Sequence, residues 1–97
     1  MGVMKNLKIS DDVLEKITKE HNVKVSEVEH AFANRCAGLL EDKRAQHKTD
    51  PPTLWFVAPT NAGRRLKIVY MQIGLEIHLK SAFDPNAEEE RIYAKYA

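Results

Sequence analysis

Between Arg64 and Lys80 the chain reads RRLKIVYMQIGLEIHLK, in which apolar and polar residues alternate twice. Leu66, Ile68 and Tyr70 form one apolar set and Leu75, Ile77 and Leu79 the other, the two-residue period of strands that bury one face. For both sets to share that face, Tyr70 must oppose Leu75, Ile68 must oppose Ile77 and Leu66 must oppose Leu79, across a loop at 71–74. LWFVA at 54–58 reads as a neighbouring strand, and PTNAG at 59–63 as the turn between them, with Asn61 and Gly63 suited to positive φ. Elsewhere the period is helical. Ser10, Asp11 and Asp12 supply N-cap chemistry, Asp12 and Glu15 match a capping box, and Val13, Leu14 and Ile17 form an apolar side that should end near His21 and Asn22. A second helix is predicted from Ser26, with Glu29 completing its capping box and Val25, Val28, Ala31, Phe32, Cys36 and Leu39 or nearby Leu40 as its stripe. A third starts with Asp84 as N-cap and Pro85 as first helical residue, docked by Ile92 and Tyr96.

Val3 to Ile9 suits a short edge strand, and the charged stretch 41–52 with its proline pair suits a loop. The order (β)ααβββα predicts an α+β domain over 1–97. Its core element is a three-stranded antiparallel meander, with two N-terminal helices on one face, a closing C-terminal helix, and a second face left to water or a ligand.

Charge changes this picture more than composition does. The 97 residues carry a formal net charge of only +1, with 43% apolar and 30% charged residues, as in ordinary globular chains. From Arg64 to Lys80, however, four cations stand against a single acid, Glu76. The predicted register puts Lys67 opposite His78 and Arg65 opposite Lys80, an arrangement that attracts anions. The same face also suits a solvated surface that discourages edge-to-edge pairing, so both readings stand at this stage. Trp55 and Phe56 point to opposite faces, which gives one of them access to the basic side, where an aromatic ring stacks a base.

Cys36 is the single cysteine and is expected to be a small buried apolar group in its helix. One thiol cannot close an internal disulfide, which suits a reducing, cytoplasmic setting. No apolar run approaches the ~20 residues of a membrane span, and MGVMKNLKIS lacks the apolar stretch of a secretory signal. His21, His30, His47, His78 and Cys36 have no zinc-ligand spacing, Glu27-x-x-His30 has no second copy, and no phosphate-loop or dinucleotide motif is present. Neither a metal nor a cofactor is expected.

Three segments, in order, resemble BrnT-like toxins of the RelE-type ribonuclease superfamily. EHNVKVSEVEHAFANR (20–35) is similar to that family's histidine segment and following helix, NAGRRLKIVYM (61–71) to its turn into a central strand, and IHLKSAFDPNAEEERIYAKY (77–96) to its last strand, serine–alanine step and closing helix. The resemblance implies a toxin that cleaves mRNA without metal, paired with an antitoxin of ribbon-helix-helix type, with a homo-oligomer as a further option. By position it implies a role for His21, for Arg64 or Arg65, and for Arg91 and Tyr93. Glu20 and Asn22 stand where the family has lysine and glycine, and His78 and Phe83 where it has arginines. Metal-free RNA cleavage needs a base, an acid and cations at the phosphate. On that chemistry His78 is the acid–base candidate, Lys67 and Lys80 flank it, Tyr93 assists, and Arg65 and Lys67 hold phosphate. The alternative is a RelE-like module that binds an antitoxin or a phosphate-bearing polymer such as RNA and catalyses nothing.

Overall fold

The computed structural model describes residues 4–42 and 51–97, so Val3 and most of the expected 41–52 loop lie outside the described residues. The fold is α+β: a five-stranded mixed sheet and three helices. The chain runs through β1 (Leu7–Lys8), α1 (Asp11–Glu15), α2 (Val25–Ala33), β2 (Leu40–Glu41), β3 (Thr53–Pro59), β4 (Arg65–Ile73), β5 (Glu76–Phe83) and α3 (Ala87–Tyr96). The strand order is β1-β5-β4-β3-β2. The antiparallel β3–β4–β5 meander is its centre, while β1 pairs parallel with β5 and β2 antiparallel with β3. Among the described residues no helix is long and apolar enough to cross a membrane.

Local chemistry explains the helix boundaries. Ser10 caps α1 by accepting from the Val13 amide at 3.3 Å. The helix widens into a π-helical turn over Lys16–Glu20, where the Thr18 hydroxyl donates back to the Leu14 carbonyl at 2.8 Å. It stops at Asn22, which takes φ 53°, and the Val23 amide closes onto the Ile17 carbonyl at 2.8 Å. This is the left-handed cap that the sequence signalled.

The start of α2 differs from expectation. Its cap is Lys24, whose amide donates to Glu27 at 3.0 Å, because the closing turn at Asn22 leads straight into the next helix. Glu29 is thereby released to accept from the Met4 amide at 3.0 Å. The helix ends at Ala33, so Cys36 lies beyond it and is exposed, not buried in a helical stripe. α3 is capped by Asn86, reciprocally with Glu89, and not by Asp84, whose carboxylate is engaged elsewhere.

The β4–β5 register also departs from the reading above. The loop is the two-residue Gly74–Leu75, with Gly74 at φ 61°, the conformation a two-residue hairpin assigns to glycine. Tyr70 therefore pairs with Leu79, Ile68 with Ala82, Lys67 with Phe83 and Met71 with His78. Lys67 does not oppose His78, and the pairings with Leu75 and Ile77 do not form. A β-bulge explains why alternation misled. Lys80 is the extra residue between the pairs Val69–Ser81 and Tyr70–Leu79, so Leu79 and Ala82 both point inward despite opposite parity.

Leu66, Ile68 and Phe56, all fully buried, pack under Ile17, Val28 and Ala31 of the N-terminal helical segments. Phe32 meets Phe56 and Tyr70 edge-on at 5.0 and 5.2 Å. The second face is only partly open, because α3 lies against it. Tyr93 is buried beside Trp55, with ring centroids 5.8 Å apart, and its hydroxyl donates to the Gly38 carbonyl at 2.7 Å. Tyr96, expected to dock the helix, is 64% exposed.

Candidate functional site

Every second residue of β3 and β4 turns away from the helical core, and the bulge in β5 brings Ser81 and Phe83 to the same side. The row Trp55–Val69–Ser81 crosses three strands, next to the row Val57–Lys67–Phe83. Where α3 stops covering this face, a cleft of about 420 Å³ opens. Its β5 side carries Lys80, Ser81 and Phe83, and Lys16 reaches it from the π-helical turn. Val69 and Met71 form its floor, with Thr53, Trp55 and Asp42 beyond them and Lys67 and Glu89 towards α3.

The three lysines have different standing. Lys67 is largely buried, with 13% of its side chain exposed, and its Nζ lies 2.7 Å from Glu89 Oε2. The same ammonium sits 4.5 Å from the Trp55 ring centroid and 5.6 Å from that of Phe83. Its charge is therefore balanced before any ligand arrives, and it occupies the indole face. Trp55, held between Lys67 and Tyr93, does not offer a free ring for stacking a base. Lys80 is exposed, and neither it nor Lys16 makes an ion pair among the described residues. The Ser81 hydroxyl is buried without a hydrogen-bond partner, although a buried polar group ordinarily has one.

The other sequence candidates lie apart. Arg64 spends all five of its N–H donors on the protein. Nε and Nη2 grip Asp84 at 2.8 and 3.1 Å, Nη1 reaches Glu27 and the Asn22 carbonyl, and Nη2 also reaches the His21 carbonyl at 3.1 Å. The hydrogen bond from Arg64 holds the Asp84 carboxyl below its ordinary range. Arg65 forms a forked pair with Glu90 at 2.9 and 3.1 Å, which strengthens its hold on its proton. Arg91 pairs with Glu88 on the exposed side of α3. The His21 ring rests 5.4 Å from Phe83 while its backbone serves Arg64. The phenol of Tyr93 is pushed up by burial.

His78 Nε2 lies 3.0 Å from Glu76 Oε1, and Lys8 approaches the other Glu76 oxygen at 3.9 Å. His78 lines a neighbouring cleft between β1 and β5, shared with Lys80. Its partner Met71 is four residues from Lys67 along β4, a separation of about 13 Å at strand rise. The structure thus brings together Lys67, Lys80 and the edge of Trp55. It leaves His78, Arg64, Arg65, Arg91, His21 and the Tyr93 hydroxyl outside that cleft. Neither Lys16 nor Ser81 carries a mark in the sequence that points to this cleft. Lys16 joins the cleft only through tertiary packing, and Ser81 only through the bulge beside it. Among the described residues no cluster of three or more His, Cys, Asp or Glu is placed to hold a metal ion.

No family model matches the chain, and no curated protein or solved structure matches it significantly.

Proposed function

We propose that this chain is a RelE-like binding module that takes RNA on the second face of its sheet, without cleaving it. The observation that carries this reading is the cleft itself, where two lysines without ion-pair partners among the described residues border a buried, unpartnered serine hydroxyl. Such a site favours a phosphate oxygen that accepts from the hydroxyl and faces both ammonium groups. Binding needs no more than this. Cleavage needs an acid–base pair on either side of one phosphorus, and His78 sits about 13 Å along the strand from Lys67, tied to Glu76.

A second reading keeps catalysis and the pairing with a ribbon-helix-helix antitoxin. One observation favours it: Lys80 lines both the cleft of Lys67 and that of His78, so a bent RNA strand could place its phosphate between them. One experiment separates the two. Purified chain is incubated with end-labelled single-stranded RNA in chelator, and both retention and strand length are followed. Intact RNA bound with an affinity that falls steeply with salt supports the binding module. Cleavage that His78→Ala abolishes supports the toxin reading. RNA neither bound nor cut removes both.

A further inference from the structure

Three clefts among the described residues bear on a ligand. One, beside Arg65, Glu90 and Tyr93, has its charged groups already paired and its phenol bonded to a carbonyl. The cleft between β1 and β5 offers His78, but the imidazole is engaged by Glu76. The third, on the second face of the sheet, combines unneutralised cations with an unsatisfied buried donor.

We infer that this third cleft is a site for the terminal phosphate of a nucleoside 5′-monophosphate, with Ser81, Lys80 and Lys16 as phosphate ligands and the Val69–Met71 floor under the base. The inference rests on the RNA-binding reading and narrows it from the backbone of a strand to a phosphate monoester.

Four features support a monoester. First, the charge is placed asymmetrically. Lys16 and Lys80 stand at the β5 side without ion-pair partners among the described residues, whereas Lys67 is matched by Glu89. Two positive charges at one end suit the dianion of a monoester better than the single charge of a diester. Second, Lys67 and Glu89 close the α3 side of the cleft as a matched pair, so no cation there is left for a further phosphate, which favours one terminal group over a polyphosphate.

Third, the Ser81 hydroxyl is walled off from water and has no acceptor, although its residue lines the cleft. A hydroxyl turns about a single bond, and Lys16 and Lys80 are long, rotatable side chains. An entering phosphate, met as these groups turn, gives the hydroxyl its missing acceptor. The bulge at Lys80 aims this part of β5, since bulges re-aim side chains locally.

Fourth, the dimensions agree. Ser81 and Trp55 lie two strands apart in one row, roughly 10 Å at the usual inter-strand spacing, about the length of a phosphate, a sugar and a base. The volume of about 420 Å³ is that of a small-ligand pocket. The half-buried Val69, Met71 and Phe83 present apolar walls, which suit a flat heterocycle better than a bare sugar.

The test uses the full chain and the emission of Trp55, its single tryptophan, at the cleft wall. Adenosine 5′-monophosphate is compared with adenosine, and an octaadenylate bearing a 5′-phosphate with the same strand bearing a 5′-hydroxyl. The phosphorylated member of each pair should bind about tenfold more tightly, and Ser81→Ala and Lys80→Ala should each remove most of that difference. Ser81→Ala deletes a group without a partner and Lys80 is exposed, so both variants should keep the wild-type melting temperature or exceed it. A preference seen only with the strand assigns the phosphate to an RNA end, and one seen equally with the free nucleotide assigns it to a soluble ligand. Either supports the site. Equal binding of the 5′-hydroxyl and 5′-phosphate strands overturns the monoester site while leaving RNA binding in place. No binding of any probe overturns both.

Discussion

Arg64 and Tyr93 are the residues whose chemistry the structure redirects most. Arg64 joins the end of α1, the start of α2 and the segment after β5 through one guanidinium, only about a quarter exposed. Its replacement by methionine takes this donor from the His21 and Asn22 carbonyls and from the carboxylates of Asp84 and Glu27, of which Glu27 keeps the Lys24 amide. The expected cost is about 2–4 kcal/mol, read from urea unfolding of the purified variant. Lysine should rescue only part of this, since an ammonium cannot reproduce the planar fork on Asp84. The pH response follows from the same contact. Asp84 is held below its ordinary value of 3.8, so the unfolded chain takes up that proton first as acid is added. The stabilisation is complete above the ordinary carboxyl pKa and is lost as pH falls through the lowered one. Urea midpoints measured from about pH 6 down to about pH 3 should therefore fall more steeply for the wild type than for Asp84→Asn. Tyr93→Phe removes the bond to the Gly38 carbonyl and should cost about 1 kcal/mol while leaving RNA binding unchanged, as thermal melts and titrations would measure.

At the scale of elements, the β4–β5 hairpin decides which side chains meet. Gly74 at φ 61° allows the two-residue loop, so Gly74→Ala should destabilise the chain by about 1 kcal/mol, visible as a lowered urea midpoint with an unchanged slope. Element identities were legible in the sequence because they rest on local chemistry. Ser10 caps α1, Asn22 closes the turn after it, and alternation marks β3, β4 and β5. The register was not legible, because alternation fixes which face a residue takes but not which partner it meets, and the bulge at Lys80 shifts the phase halfway along β5. The cap of α3 falls at Asn86 and not at Asp84 for one local and one distant reason. Asn86 has Glu89 three residues on and completes a capping box, which Asp84, with Ala87 at that place, does not, and the distant Arg64 holds the Asp84 carboxylate. The site was partly legible: Lys67, Lys80 and Trp55 do gather on one face. Lys16 carries no local mark, and the apparent basic stripe dissolves once Arg65 and Lys67 are seen beside Glu90 and Glu89.

For the whole molecule, the sheet separates two tasks. One face, under α1 and α2, holds the apolar core, and the other is divided between α3 and the cleft. The acidic start of α3 neutralises the cations nearest to it, so among the described residues that line the cleft the cations without an ion-pair partner are Lys16 and Lys80, on its β5 side. This division is why the near-zero net charge of the chain does not argue against an anionic partner. The most direct test is the salt dependence of single-stranded RNA binding, by fluorescence anisotropy, for the wild type and for the double variant Lys16→Ala/Lys80→Ala. Loss of two phosphate contacts should lower the slope of log K against log salt by about 1.4 and weaken binding at low salt, with the RNA recovered at full length from both proteins. Wild-type binding with no salt dependence, or a double variant that binds with the same affinity and slope, would contradict the assignment of this cleft to RNA.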